Sequence, residues 1–126
     1  MNFVTFKIWL NETLDKKFIV NKKSFNLFLE NKLVSKAGYN IESPDEWFNE
    51  NYITLFNVKT LEKFQGKGLA KYLLQEIFKY VKNELNINII ALIVYKDNDR
   101  ALNLYFNNGF IKYMEYDDSY SLIKKL

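Results

Sequence analysis

Residues 52–94 read YITLFNVKTLEKFQGKGLAKYLLQEIFKYVKNELNINIIALIV, and this stretch decides the fold. At 52–60, Tyr52, Ile53, Thr54, Leu55, Phe56 and Val58 are β-formers and predict a strand. A polar loop follows at 61–65. From about 68 to 83, Leu69, Leu73, Ile77 and Val81 recur every fourth residue, with Ala70, Leu74 and Phe78 beside them. That wide apolar stripe predicts a long amphipathic helix. Residues 87–94 are apolar almost throughout, the pattern of a strand buried on both faces. Strand, crossover helix and strand in that order imply parallel pairing of the two strands.

Outward from this unit, the remaining elements are simpler. Residues 3–10 are β-rich and predict a strand, and 11–17 read as a polar connection. Phe25, Leu27 and Leu29 alternate with polar residues, which predicts a strand over 24–30. A turn at 30–32 leads into its hairpin partner at 33–41, and Ser43-Pro44-Asp45 breaks the pattern. On the other side, a short helix spans 99–107, with Asn98 placed to cap its start and Gly109 to stop it. Two strands close the chain at 110–115 and 119–123. The fold class is α+β: a mixed, mostly antiparallel sheet with one parallel pair and flanking helices. A length of 126 residues suits a single domain over 1–126, and 48% hydrophobic residues are enough to build its core.

Composition removes whole classes of chemistry. The chain has no His and no Cys, so a Ser–His–Asp triad, a Cys nucleophile, a zinc finger and a His-ligated metal are excluded. A general base must be a carboxylate, Tyr, Lys, a terminus or water. No ligand-spaced group of Asp and Glu stands out, so no metal is expected. The net charge of +3 is too mild to predict a nucleic-acid partner. Lys112, Lys124 and Lys125 with Tyr113, Tyr116 and Tyr120 read better as the outer face of an edge hairpin than as a nucleic-acid surface. Lys7, Glu12, Asp15, Lys16 and Lys17 interrupt the first twenty residues, and no run of 18 apolar residues exists. Neither a secretory leader nor a membrane span is expected, and the cytoplasm is the expected location.

The segment Gln65-Gly66-Lys67-Gly68-Leu69-Ala70 joins a strand to the long helix. The first N–H groups of a helix lack internal partners and carry partial positive charge. Glycines beside them let a phosphate approach the backbone, so the turn is able to hold a diphosphate. The same turn serves equally as a tight bend whose glycines only relieve backbone strain. It is neither a P-loop, because Lys67 precedes Gly68, nor a Rossmann fingerprint, because Lys71 stands where the third small residue belongs.

Two motifs together resemble the GNAT family of N-acetyltransferases. That family's loop pattern, Arg/Gln-x-x-Gly-x-Gly/Ala, is matched by Gln65, Gly68 and Ala70. Its later pattern, Asn-x-x-Ala-x-x-Leu-Tyr-x-x-x-Gly-Phe, is matched by Asn98, Ala101, Leu104, Tyr105, Gly109 and Phe110. The approach segment 57–65 and the closing segment 121–126 are also similar to the family's, so the resemblance covers about 24–126.

The resemblance implies acetyl transfer from acetyl-CoA, as co-substrate, to an amine-bearing acceptor. It implies that Gln65, Gly66, Lys67, Gly68, Leu69, Ala70 and Lys71 surround the coenzyme A pyrophosphate. Val58, Lys59 and Thr60 would pair with pantetheine, one of their N–H groups polarising the thioester carbonyl. Asn98 would lie beside the pantetheine, and Tyr105 would protonate the departing thiolate. The family often carries a carboxylate base where Thr54 stands, and Thr54 does not ionise. Glu50 in the acidic stretch 42–50 is the expected base, with Glu42, Asp45 or Glu46, acting directly or through water, as alternatives, and an amine that arrives already neutral as another. The family's N-terminal helices look reduced here, so the acceptor side is either open or closed by a second copy. The alternative reading is a non-catalytic acyl-CoA-binding module of the same fold.

Overall fold

The computed structural model describes residues 15–126. The strand expected at 3–10, and most of the connection after it, lie outside the described residues. Seven strands run in chain order: β1 (Lys16–Val20), β2 (Ser24–Leu29), β3 (Lys32–Glu42), β4 (Tyr52–Thr60), β5 (Ile89–Tyr95), β6 (Ile111–Glu115) and β7 (Ser119–Lys125). Helix α1 (Leu69–Asn83) follows β4, and α2 (Asp99–Asn107) follows β5. The sheet order is β1-β2-β3-β4-β5-β7-β6. Its neighbours are antiparallel except β4 and β5, which pair in parallel as expected.

One strand escaped the sequence reading. Lys16 and Lys17, expected at the end of a polar connection, open β1. Among the described residues β1 pairs only with β2, and Lys16 and Lys17 are what such an edge strand tolerates. The β2–β3 turn places Glu30 and Asn31 at φ 47° and 67°, both left-handed, the twist that a two-residue hairpin turn requires.

The strand period of two divides the sheet's side chains between its faces. Ile53 and Leu55 of β4, with Ile90, Leu92 and Val94 of β5, face both helices. There they pack against Leu69, Leu73, Leu74, Ile77, Phe78 and Val81 of α1 and Tyr105 of α2. The opposite face holds a smaller cluster of Tyr52, Ile89, Ala91 and Ile123, partly covered by Phe48. Beyond Ala91 that cover ends. Ile93 is 67% exposed and Tyr95 63%, which corrects the expectation that this strand is buried on both faces. Among the described residues its second face is apolar but uncovered past Ala91.

The feature that positions the site is a divergence. β4 and β5 pair only at Ile53↔Ile90, Thr54↔Ala91 and Leu55↔Leu92. After Phe56, β4 carries a bulge: Gly38 pairs with Phe56 and Lys36 with Lys59, so Asn57 and Val58 together oppose Ala37. Asn57 takes φ 50°, a left-handed conformation that Asn adopts more readily than most residues. The extra residue bends β4, and the two parallel strands part into a V.

Candidate functional site

The V opens on the helix face into a cavity of about 450 Å³. Val58 and Thr60 form one wall, and Asn98, Ala101, Leu104 and Tyr105 of the α2 region form the other. Gln65, Gly66, Gly68, Leu69, Ala70 and Lys71 make its mouth. Most of the residues singled out by sequence therefore meet around one space. Lys59 and Lys67 do not line it; the Lys59 carbonyl accepts a bond from Ser35 Oγ at 3.1 Å.

Gly66 and Gly68 have φ values of 74° and 80°. A Cβ built on either would meet no atom within 4 Å, so conformation, and not crowding, calls for glycine here. The left-handed backbone costs an L-residue roughly 1–2 kcal/mol. Gly68 is the N-cap of α1 and brings no side chain to bond the first turn, which also contains no acidic residue. The leading N–H groups of α1 thus have no side-chain acceptor at the cap, beside open space.

Helix α2 is anchored at both ends. Asn98 Oδ1 accepts from the Ala101 N–H at 3.2 Å, so Asn98 is the N-cap and also lines the cavity. At the far end, Asn108 Nδ2 donates to the Leu104 carbonyl and Asn108 Oδ1 accepts from Gln75 of α1 at 3.0 Å. That polar link fixes the two helices on either side of the cavity. Burial pushes the Tyr105 hydroxyl up to about 12, so the phenol stays protonated well past neutrality. Arg100 is a cavity residue that the sequence reading missed. Its guanidinium donates to Gln65 Oε1 at 2.6 Å, while Gln65 Nε2 donates to the Thr60 carbonyl at 3.1 Å. One signal was available: Arg100 is the sole arginine in a chain whose other basic residues are all lysine.

A second cavity, about 500 Å³, lies on the opposite face of the sheet at the same divergence. Trp47, Phe56, Ile93, Tyr113 and Tyr116 give it aromatic and aliphatic walls. Its floor includes Thr54, whose Oγ1 donates to Glu42 Oε1 at 3.1 Å. The acidic stretch 42–50 divides by role. Asp45 Oδ1 accepts from the Trp47 and Phe48 N–H groups at 2.9 and 3.2 Å, and its Oδ2 from the Tyr52 hydroxyl at 2.5 Å. The Tyr52 bond holds the Asp45 carboxyl below its ordinary range, and the same bond, with burial, pushes Tyr52 up to about 12. Glu46 and Glu50 line a third hollow beside Lys125 and Leu126, and Glu50 lines neither cavity at the V. Among the described residues no group of three acidic side chains gathers as a metal site, and no helix is long and apolar enough to cross a membrane.

Residues 4–110 match the sequence profile of the acetyltransferase (GNAT) family. Acetyltransferase PseH of Campylobacter jejuni serotype O:2 is 31% identical over 106 residues, covering 83% of this chain and 61% of that protein. PseH of serotype O:23/36 is 41% identical over 59 residues, covering 47% and 38%. The chain thus spans less than two-thirds of the curated relatives it matches. Among solved structures, Campylobacter jejuni PseH in complex with acetyl coenzyme A superposes with a TM-score of 0.67 at 26% identity, covering 84% of this chain and 70% of that one. The PaiA N-acetyltransferase of Thermoplasma acidophilum in complex with coenzyme A superposes at 0.71 and 20% identity, covering 82% and 60%, a likeness of fold.

Proposed function

Because the chain belongs to the GNAT family of acetyltransferases, we propose that it moves an acetyl group from acetyl-CoA to a primary amine by direct attack. The observation that carries this reading is the glycine turn. Two left-handed glycines bring open space to an uncapped helix start at the mouth of the V. That is the shape and polarity that a pyrophosphate needs. The complexes of PseH with acetyl coenzyme A and of PaiA with coenzyme A support it.

Each residue has a task in this scheme. The N–H groups of Gly66, Lys67, Gly68, Leu69, Ala70 and Lys71 hold the two phosphates. The edge of β4 at Val58, Lys59 and Thr60 pairs with the amide-bearing arm, and an N–H there polarises the thioester carbonyl. Asn98 keeps α2 in place beside that arm. Tyr105 donates its hydroxyl proton to the departing sulfur. Burial raises the phenol above its usual pKa of ~10, and the same desolvation makes a thiolate held beside it more basic, so the transfer is not strongly uphill.

The acceptor enters from the opposite face through the aromatic-walled cavity. An amine carried on a body with apolar or stacking surface suits those walls. Thiol release from acetyl-CoA, followed across a panel of primary amines, tests the reading. Turnover with at least one amine supports it. Coenzyme A binding without thiol release under any amine supports a non-catalytic acyl-CoA-binding module instead.

A further inference from the structure

We infer that Glu42, held by Thr54, is the group that takes the proton from the incoming ammonium; the inference rests on the acetyl-transfer reading above. An alkyl ammonium with a pKa near ~10.4 is almost wholly protonated at pH 7 and cannot attack until it loses a proton. A carboxylate beside the acceptor cavity is therefore needed, and on β4 Thr54 occupies the position facing it without being able to ionise. The neighbouring strand supplies what β4 lacks. Glu42 is the last residue of β3, pairs in register with Tyr52, and receives the Thr54 hydroxyl at 3.1 Å.

The other acidic residues of the stretch are unsuited by placement. Asp45 is committed to three bonds that build its own turn and anchor Tyr52. Glu46 and Glu50 face the hollow beside the chain's C-terminal end. Glu42 alone among them bonds Thr54; it lies behind that floor residue and outside the cavity lining itself, and it is only partly buried, so an ammonium or a bridging water can reach it. The ionisable groups around it are the Tyr52 hydroxyl and, through Tyr52, the Asp45 carboxylate. Neither competes for the proton near neutral pH, since Tyr52 is already protonated and the Asp45 carboxyl is held below its ordinary range.

The proton count closes. The ammonium gives one proton to the Glu42 carboxylate, directly or through one water, and Glu42 passes it to solvent. The neutral nitrogen forms its bond to the acetyl carbon as the carbon–sulfur bond breaks. Tyr105 gives its proton to sulfur, and the second nitrogen proton returns to the Tyr105 oxygen. The products are the amide, the free thiol and one proton in solvent. Thr54 acts through Glu42, orienting its carboxylate, and is a positioning residue.

The test compares wild type, Glu42→Gln, Thr54→Val and the double variant Glu42→Gln with Thr54→Glu, using an amine that the wild type accepts. Glu42→Gln should lower kcat/KM about 100-fold at pH 7. Acetyl-CoA affinity, read by calorimetry, should stay within about 2-fold of wild type, which also shows that the variant folds. The loss should shrink as pH approaches the amine's own pKa. Thr54→Val should lower the rate less and move the acidic limb of the pH profile, which a purely structural role would not do. The double variant, with a carboxylate restored on β4, should recover much of the rate. Wild-type turnover equalled by Glu42→Gln, with an unchanged pH profile, overturns this inference alone. Absence of turnover in the wild type with every amine overturns the transfer reading and this one with it.

Discussion

The Arg100 guanidinium donates to the Gln65 amide oxygen at 2.6 Å, tying the first turn of α2 to the start of the glycine turn. Gln65 in turn bonds the Thr60 carbonyl at the end of β4. Strand, turn and second helix are therefore joined around the cavity by side chains that are far apart in sequence. The link also holds the chain's only guanidinium at the cavity mouth, where a phosphate would meet it.

Arg100→Ala should weaken acetyl-CoA binding about 10-fold, the scale of one lost bond to a charged group. The deficit should narrow as salt rises, because the site is open to solvent. Calorimetry at two ionic strengths checks this. An unchanged Kd at both means that Arg100 serves only to fix Gln65.

Gly68→Ala should destabilise the fold by roughly 1–2 kcal/mol, the cost of a left-handed alanine, although its added methyl touches nothing in the ligand-free protein. It should also weaken acetyl-CoA binding, because that methyl projects into the space left for phosphate. Thermal melts with and without acetyl-CoA separate the two effects. Equal ligand-induced stabilisation in both proteins removes the turn from binding.

Tyr105→Phe should lower kcat at least 10-fold with little change in acetyl-CoA affinity, since it removes a proton donor and keeps the ring. Single-turnover kinetics with a reactive amine reads the step directly. Full activity in Tyr105→Phe assigns the protonation to water.

Buried Tyr105 should also mark the alkaline limit of stability. Its pKa rises from 10.0 to about 12 on folding, so its contribution is complete below pH 10 and is lost as pH climbs from 10 to 12. The loss attributable to this one group is about 2–3 kcal/mol. Tyr105→Phe should therefore lose less stability than wild type over that range. Urea melts at pH 9 and pH 11 check this, and parallel losses in both proteins contradict it.

Much of this was legible in the chain because period and punctuation agree. The β4 strand, the α1 stripe and α2 between Asn98 and Gly109 each carry local signals that tertiary packing did not override. Other features lay in long-range geometry. Lys16 and Lys17 look like linker until a partner strand is known. Ile93 and Tyr95 look like core residues, yet among the described residues nothing packs over that face beyond Ala91. The bulge at Asn57 and Val58 depends on register against β3, which no single segment encodes. The same holds for carboxylate roles. Glu50 and Glu42 are equally plain glutamates in sequence, and only the pairing of β3 with β4 sets Glu42 against Thr54.

The most direct test of the central claim is titration of acetyl-CoA into the wild-type protein and into Gly68→Val. The account predicts saturable binding by the wild type in the micromolar range and at least a 10-fold loss in the variant. No heat with the wild type, or identical curves for the two proteins, would contradict it.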